Sequence, residues 1–179
     1  MWALFIIAMT LTVIANVPLD ATGWQVVNDD VMGGKSASSV RSTAGGLQFE
    51  GNLSLDHGGG FASARRNYQL PVGKDPARIS GFALRVRGDG KRYRLTVFTR
   101  NPATGLREDY HYQAAFETTG DEREIVLPLA SFAASFRGRQ VAAPPLDPTR
   151  VVAVGLQISD RQAGPFVLDV LSITLITAP

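Results

Sequence analysis

From Trp24 onward, hydrophobic and polar residues alternate in short runs broken by glycine, proline and Asp-Gly pairs, with little of the helical period. Residues 46–55 put Leu47, Phe49, Gly51, Leu53 and Leu55 on one face, the period-two mark of a half-buried strand. Residues 61–70 read as another strand, closed by Pro71, and residues 110–117 alternate with Tyr110, Tyr112, Ala114 and Phe116 facing inward. A strand over 124–129 stops at Pro128. A short helical turn over 129–136 follows, then an irregular connection over 137–148 that carries Pro144, Pro145 and Pro148. Residues 151–158 are nearly all apolar and predict a central strand. Gly164-Pro165 opens the last strand, over 166–175. Many short strands with turn signals between them predict an all-β sandwich.

Asp89-Gly90 is the strongest local turn signal, since Asp-Gly suits the type I′ turn of a two-stranded hairpin. Centred there, the hairpin pairs Val86 with Tyr93, Leu84 with Leu95 and Phe82 with Val97 on an apolar face. Its other face carries Arg85, Arg87, Arg92 and Arg94, a basic surface suited to an anionic partner such as RNA or lipid headgroups. Facing arginines repel, so the alternative is an ionic lattice completed by Asp109, Glu117, Glu122 and Glu124. Phe98 is nearly alone among aromatics near this face, which argues against nucleic-acid binding by base stacking.

Composition narrows the chemistry. The 179 residues fit one domain, and a 45% hydrophobic chain can fill a core. Cysteine is absent, which excludes thiol catalysis, disulfides and cysteine-based zinc sites. The only histidines, His57 and His111, lie far apart, read as exposed or incidental, and offer no metal site. A net charge of +2 does not demand a nucleic-acid partner. No cofactor motif is present: Gly33-Gly34-Lys35-Ser36 looks like the tail of a phosphate loop, but Asp29 stands where that loop needs its first glycine.

Residues 2–17 are apolar apart from Thr10, Thr12 and Asn16. The run is short for a membrane span and lacks the basic start of a signal peptide. A cleaved signal ending near Ala21, an uncleaved membrane anchor and a misassigned start all fit. Residues 1–21 are therefore set apart as a leader or anchor, giving an exported or membrane-tethered protein (cytoplasmic without a genuine leader) whose folded domain covers 22–179.

Two loops carry the candidate site. Residues 24–27 begin as a strand and break into Asn28, Asp29, Asp30 and then Gly33-Gly34-Lys35-Ser36. The second loop is Gly58-Gly59-Gly60-Phe61, followed by Ser63 and Arg65. Asp29 and Asp30 suit either a hard cation held by several oxygens or a structural junction in which Asp30 pairs with Arg65. Phe61 is expected to plug the core and Arg65 to lie near it. Asp160, Arg161 and Gln162 leave the end of the buried 151–158 strand at the same rim, either extending a polar patch or capping a turn. No catalytic triad or framed pair of carboxylates is recognisable, so the sequence predicts no enzyme.

These residues resemble the complex I intermediate-associated protein 30 family. Trp24, Asn28 to Gly34 and Ser36 fit its opening signature; Gly59 to Ser63 and Arg65 fit its Gly-Gly-Phe segment. Gly88-Asp89-Gly90, Tyr112, Gln113, Phe136-Arg137-Gly138, Ser159-Asp160 and Gly164-Pro165-Phe166 continue the match in order. The resemblance implies a jelly-roll β-sandwich similar to galactose-binding domains and carbohydrate-binding modules. It also implies a protein-binding assembly factor, or chaperone, acting on respiratory-complex intermediates. The partner surface expected on that basis comprises Asn28, Asp29, Asp30, Lys35, Ser36, Arg65, Asp160, Arg161 and Gln162. The main alternative is a carbohydrate-binding module using Trp24, Tyr68, Tyr110 or Tyr112, most of which are expected to be buried.

Overall fold

A computed structural model describes residues 11–177, the side chains of Val31 and Met32 excepted. Thirteen strands make two antiparallel sheets, and the described residues contain short 3-10 turns but no α-helix. The first sheet contains β3 (Ala37–Thr43), β4 (Gly46–Leu53), β13 (Gly164–Thr177), β6 (Gly81–Arg87) and β9 (Arg123–Pro128), in that spatial order. β1 (Thr12–Asn16) also joins it, pairing with the far end of β13 beyond β4. The second sheet runs β11 (Arg139–Gln140), β10 (Ala133–Phe136), β8 (His111–Glu117), β7 (Arg92–Thr99), β12 (Val151–Ile158), β5 (Ala62–Asn67) and β2 (Trp24–Asn28). The two sheets form a jelly-roll β-sandwich.

Alternation places the core. Phe82, Leu84 and Val86 of β6 and Phe166, Leu168 and Val170 of β13 face Tyr93, Leu95 and Val97 of β7 and Val154, Leu156 and Ile158 of β12, all buried. Burial of each large side chain contributes roughly 1.5–3 kcal/mol. Phe49 and Phe166 meet edge-on with ring centroids 5.0 Å apart. β12 is central, between β5 and β7, as its apolar run predicts.

The hairpin at Asp89-Gly90 does not form. β6 pairs with β13 and β9, whereas β7 pairs with β12 and β8. The apolar faces are as expected, but they oppose each other across the sandwich. The turn crosses from one sheet to the other, and Asp89 holds it there: its carboxylate accepts from the Tyr93 hydroxyl at 2.9 Å and the Val167 N–H at 3.1 Å. The basic face is consequently split. Arg85 and Arg87 lie outside the first sheet and pair with Glu122 and with Asp169 (2.8 Å). Arg92 and Arg94 lie outside the second and pair with Glu117 (3.4 Å) and Asp160 (2.6 Å).

Part of the segment set apart as a leader is built into the sandwich. Ala15 and Val17 are buried, and the Trp24 indole donates to the Pro18 carbonyl at 3.2 Å. Residues 2–10 of the expected membrane-associating run lie outside the described residues. No described helix is long and apolar enough to cross a membrane.

Candidate functional site

The two glycine loops meet around one carboxylate. β2 ends at Asn28, and a 3-10 turn over Asp29–Met32 closes on Gly33, whose φ of 87° suits glycine. This turn swings the Asp29 side chain inward, where it is fully buried. One carboxylate oxygen accepts from the Ser36 N–H at 2.9 Å. The other accepts from the Ser36 hydroxyl at 2.6 Å, the Gly60 N–H at 2.6 Å and the Phe61 N–H at 3.3 Å. Gly34 and Gly59 pack so closely on this carboxylate that a side chain at either would strike it. Burial pushes the Asp29 carboxyl up, but the bonds from Ser36, Gly60 and Phe61 outweigh it and hold the group below the ordinary value of 3.8.

The brace is therefore Asp29 with backbone donors, and no ion pair joins Asp30 to Arg65. Asp30, one residue further round the turn, is exposed. Arg65 lies on the outer face of β5 with Phe61 and Ser63, while Ala62 and Ala64 face the core. Phe61 is thus a half-buried wall residue, not a core plug.

That wall borders a cleft of about 710 Å³ over the outer face of the second sheet. β5 contributes Ser63 and Arg65, β12 contributes Gln157, β7 contributes Arg94, Thr96 and Phe98, and β8 contributes His111 and Gln113. The glycine loop walls one side, and Arg137-Gly138 and Ser159-Asp160 complete the rim. Gly155 keeps the floor open, since a methyl group there would lie 2.6 Å from the Thr96 hydroxyl.

The cleft's charges are unevenly satisfied. Arg94 is committed to Asp160 and to the Ser159 hydroxyl. The Arg65 guanidinium has no hydrogen-bond or ion-pair partner among the described residues. Burial, with repulsion from Arg107, makes Arg65 a weaker base than usual. Arg107 lies over the Phe98 ring at 5.5 Å, and His111 packs against the same ring at 5.2 Å. His111 is half-buried, not incidental: burial and Arg107 push its pKa down, against a bond that its ring N–H donates to Gln113, which raises it, and the net lowering keeps the imidazole neutral at pH 7. The buried Oε1 of Gln157 has no hydrogen-bond partner among the described residues. Among the described residues no group of His, Asp and Glu could hold a metal ion.

The expected site residues scatter in role. Arg65 and Asp160 line the cleft. Asp29 and Ser36 are buried behind its wall. Asn28 accepts from the Ser38 hydroxyl at 2.6 Å. Gln162 clamps the edge of β7, bonding both the N–H and the carbonyl of Arg92 at 2.8 Å. Lys35 and Arg161 are exposed, and Arg161 and Asp160 both have positive φ in the turn after β12. Sequence reasoning missed Gln113, Arg137 and Gln157. For Gln113 a signal existed, because placing Tyr112 and Ala114 inward puts His111 and Gln113 outward. Of the proposed sugar-stacking residues, Trp24, Tyr68 and Tyr112 are buried as expected and Tyr110 is half-buried.

The fold is a jelly-roll sandwich with a walled cleft over the outer face of its second sheet. The Complex I intermediate-associated protein 30 profile matches residues 15–170, and the chain belongs to that family. It is 26% identical over 167 residues to the mitochondrial Complex I intermediate-associated protein 30 of Drosophila melanogaster, covering 82% of this chain and 56% of the relative. Against the mouse protein of the same name, also mitochondrial, identity is 24% over 177 residues, covering 89% and 54%. The chain thus spans about half the length of these relatives. Among solved structures, a family 11 carbohydrate-binding module of Clostridium thermocellum, in complex with a β-1,3-1,4-mixed-linked tetrasaccharide, superposes with a TM-score of 0.65. It shares 17% identity and covers 91% of this chain and 95% of its own. A family 30 module gives 0.52 at 15% identity, covering 82% and 92%. These likenesses are of fold.

Proposed function

We propose that this chain is a non-catalytic partner-binding module that holds protein intermediates during assembly of a respiratory complex. The observation that carries the reading is the family match over residues 15–170, which includes both glycine loops and every strand flooring the cleft. The chemistry is consistent with holding, not converting: among the described residues Asp160 is the one carboxylate lining the cleft and is engaged by Arg94, and no carboxylate among them acts on His111. The contact surface is the cleft together with the exposed Lys35 and Arg161 on the turns next to its wall and rim, and Asp29 fixes the wall. Crosslinking of the tagged chain in native cells, followed by identification of the captured proteins, tests this. Lys35→Ala with Arg161→Ala reduces capture several-fold in a folded protein; undiminished capture removes the rim from the surface.

Carbohydrate binding is a second reading, favoured by the likeness to the family 11 module. Binding of a neutral mixed-linkage β-glucan that competes with partner capture would replace the first reading.

A further inference from the structure

The cleft carries a charge it does not satisfy internally. Arg41, Arg66, Arg85, Arg87, Arg92, Arg94 and Arg150 all have carboxylate partners. Arg65 is half-buried and has none among the described residues, though a buried cation is unfavourable without a counter-charge. Arg107 adds repulsion. Arg137, in a left-handed turn with a φ of 49°, adds a further guanidinium on the rim. Asp160 cannot neutralise them, being held by Arg94 at 2.6 Å. In the same cleft lies the buried Gln157 Oε1, an acceptor with no donor among the described residues.

We infer that the cleft receives an extended acidic segment of the partner protein, with its carboxylates on Arg65 and Arg137 and a backbone N–H on Gln157. This rests on the partner-binding reading and names the chemistry of the partner. A guanidinium fork matches a carboxylate with two parallel bonds. A small inorganic anion satisfies the arginines but brings no donor for Gln157, whereas a polypeptide brings both. Single-stranded RNA needs an open aromatic face to stack on, and a neutral glycan leaves the cleft's cations without a counter-charge. Phe98 is contacted by both Arg107 and His111, Phe61 lies half-buried in the wall, and no tryptophan or tyrosine is among the described residues that line the cleft.

The test is fluorescence anisotropy of the full chain with a labelled peptide alternating Glu and Ala. Competitors are its Gln-for-Glu counterpart, oligouridylate and a mixed-linkage β-glucan tetrasaccharide. The Glu peptide binds, and the Gln peptide binds at least about tenfold more weakly. Arg65→Gln and Arg137→Gln each weaken Glu-peptide binding about tenfold. Should Arg65→Gln not fold, Gln113→Glu provides the same test by placing a fixed carboxylate in the cleft, and it suppresses peptide binding. Equal binding of the two peptides, folded variants that bind like the parent, or tighter binding of oligouridylate or tetrasaccharide overturns the inference. Cleft variants that still diminish native partner capture while the Glu peptide fails to bind would overturn the acidic chemistry alone. Glu-peptide binding without any captured protein would count against the partner reading instead.

Discussion

The outer faces of the two sheets use charge in opposite ways. On the first sheet Arg41 pairs with Glu50, Arg85 with Glu122, and Arg87 with Asp169, which also accepts from Gln48 at 2.6 Å. Arg41, Arg85 and Arg87 there each have a carboxylate neighbour. On the second sheet the strands floor a walled cleft in which, among the described residues, Arg65 has no counter-charge and Gln157 Oε1 no donor. Both sheets come from the same alternation of apolar and polar residues, so alternation does not separate a solvated face from a binding face. What separates them is whether the polar groups already satisfy one another.

The largest change should come from the junction that raises the cleft wall. In Asp29→Asn an NH₂ group replaces one acceptor oxygen among four donors. Leaving buried donors unpaired around a former charge costs about 3 kcal/mol, read as a lower urea midpoint. Because the Asp29 carboxyl titrates below its ordinary value, its stabilisation is complete above pH 3.8 and is lost as pH falls through the folded-state value. The gap between parent and variant therefore narrows in acid. A constant gap from neutral pH to strong acid would show that the carboxylate charge is not what holds the loops.

This junction also shows where sequence reasoning stops. Two adjacent aspartates at the end of a strand cannot be told apart until the turn following β2 is known. That turn points Asp29 inward and leaves Asp30 in solvent. Phe61, Ser63 and Arg65 were legible as one face of β5. Which face was not, because here the small residues Ala62 and Ala64 lie inside and the large ones outside, reversing the usual sorting by size. Likewise Phe82, Leu84, Val86, Tyr93, Leu95 and Val97 were legible as core, since burial follows from phase alone. Their strand partners were not, because an Asp-Gly turn serves a hairpin or a crossing equally well. The crossing is fixed by the bond from the Val167 N–H to Asp89, far apart in the chain.

A smaller effect is expected at the edge of the first sheet. A chain beginning at Thr22 lacks β1, the buried Ala15 and Val17, and the Pro18 carbonyl that receives the Trp24 indole. Loss of that apolar burial should lower stability by about 2 kcal/mol while leaving Glu-peptide affinity at the cleft unchanged. Thermal unfolding of the two chains decides it. Equal stability would fit a leader that is dispensable once removed, and lost peptide binding would mean that the first sheet shapes the cleft.

The smallest effect should follow from neutralising the first sheet's arginines. Arg85 and Arg87 are each more than half exposed, and exposed ion pairs add little because water screens them and ordering long side chains opposes them. Arg85→Gln with Arg87→Gln removes two positive charges, as many as Arg65→Gln with Arg137→Gln removes from the cleft. If net charge alone drew an acidic segment, both doubles would weaken binding equally and flatten its salt dependence equally. If the cleft geometry draws it, the first double leaves the unfolding midpoint and the peptide affinity unchanged, while the second loses affinity. Anisotropy titrations of the two doubles across a range of salt concentrations separate the outcomes. Equal losses would reduce the difference between the faces to one of shape without recognition.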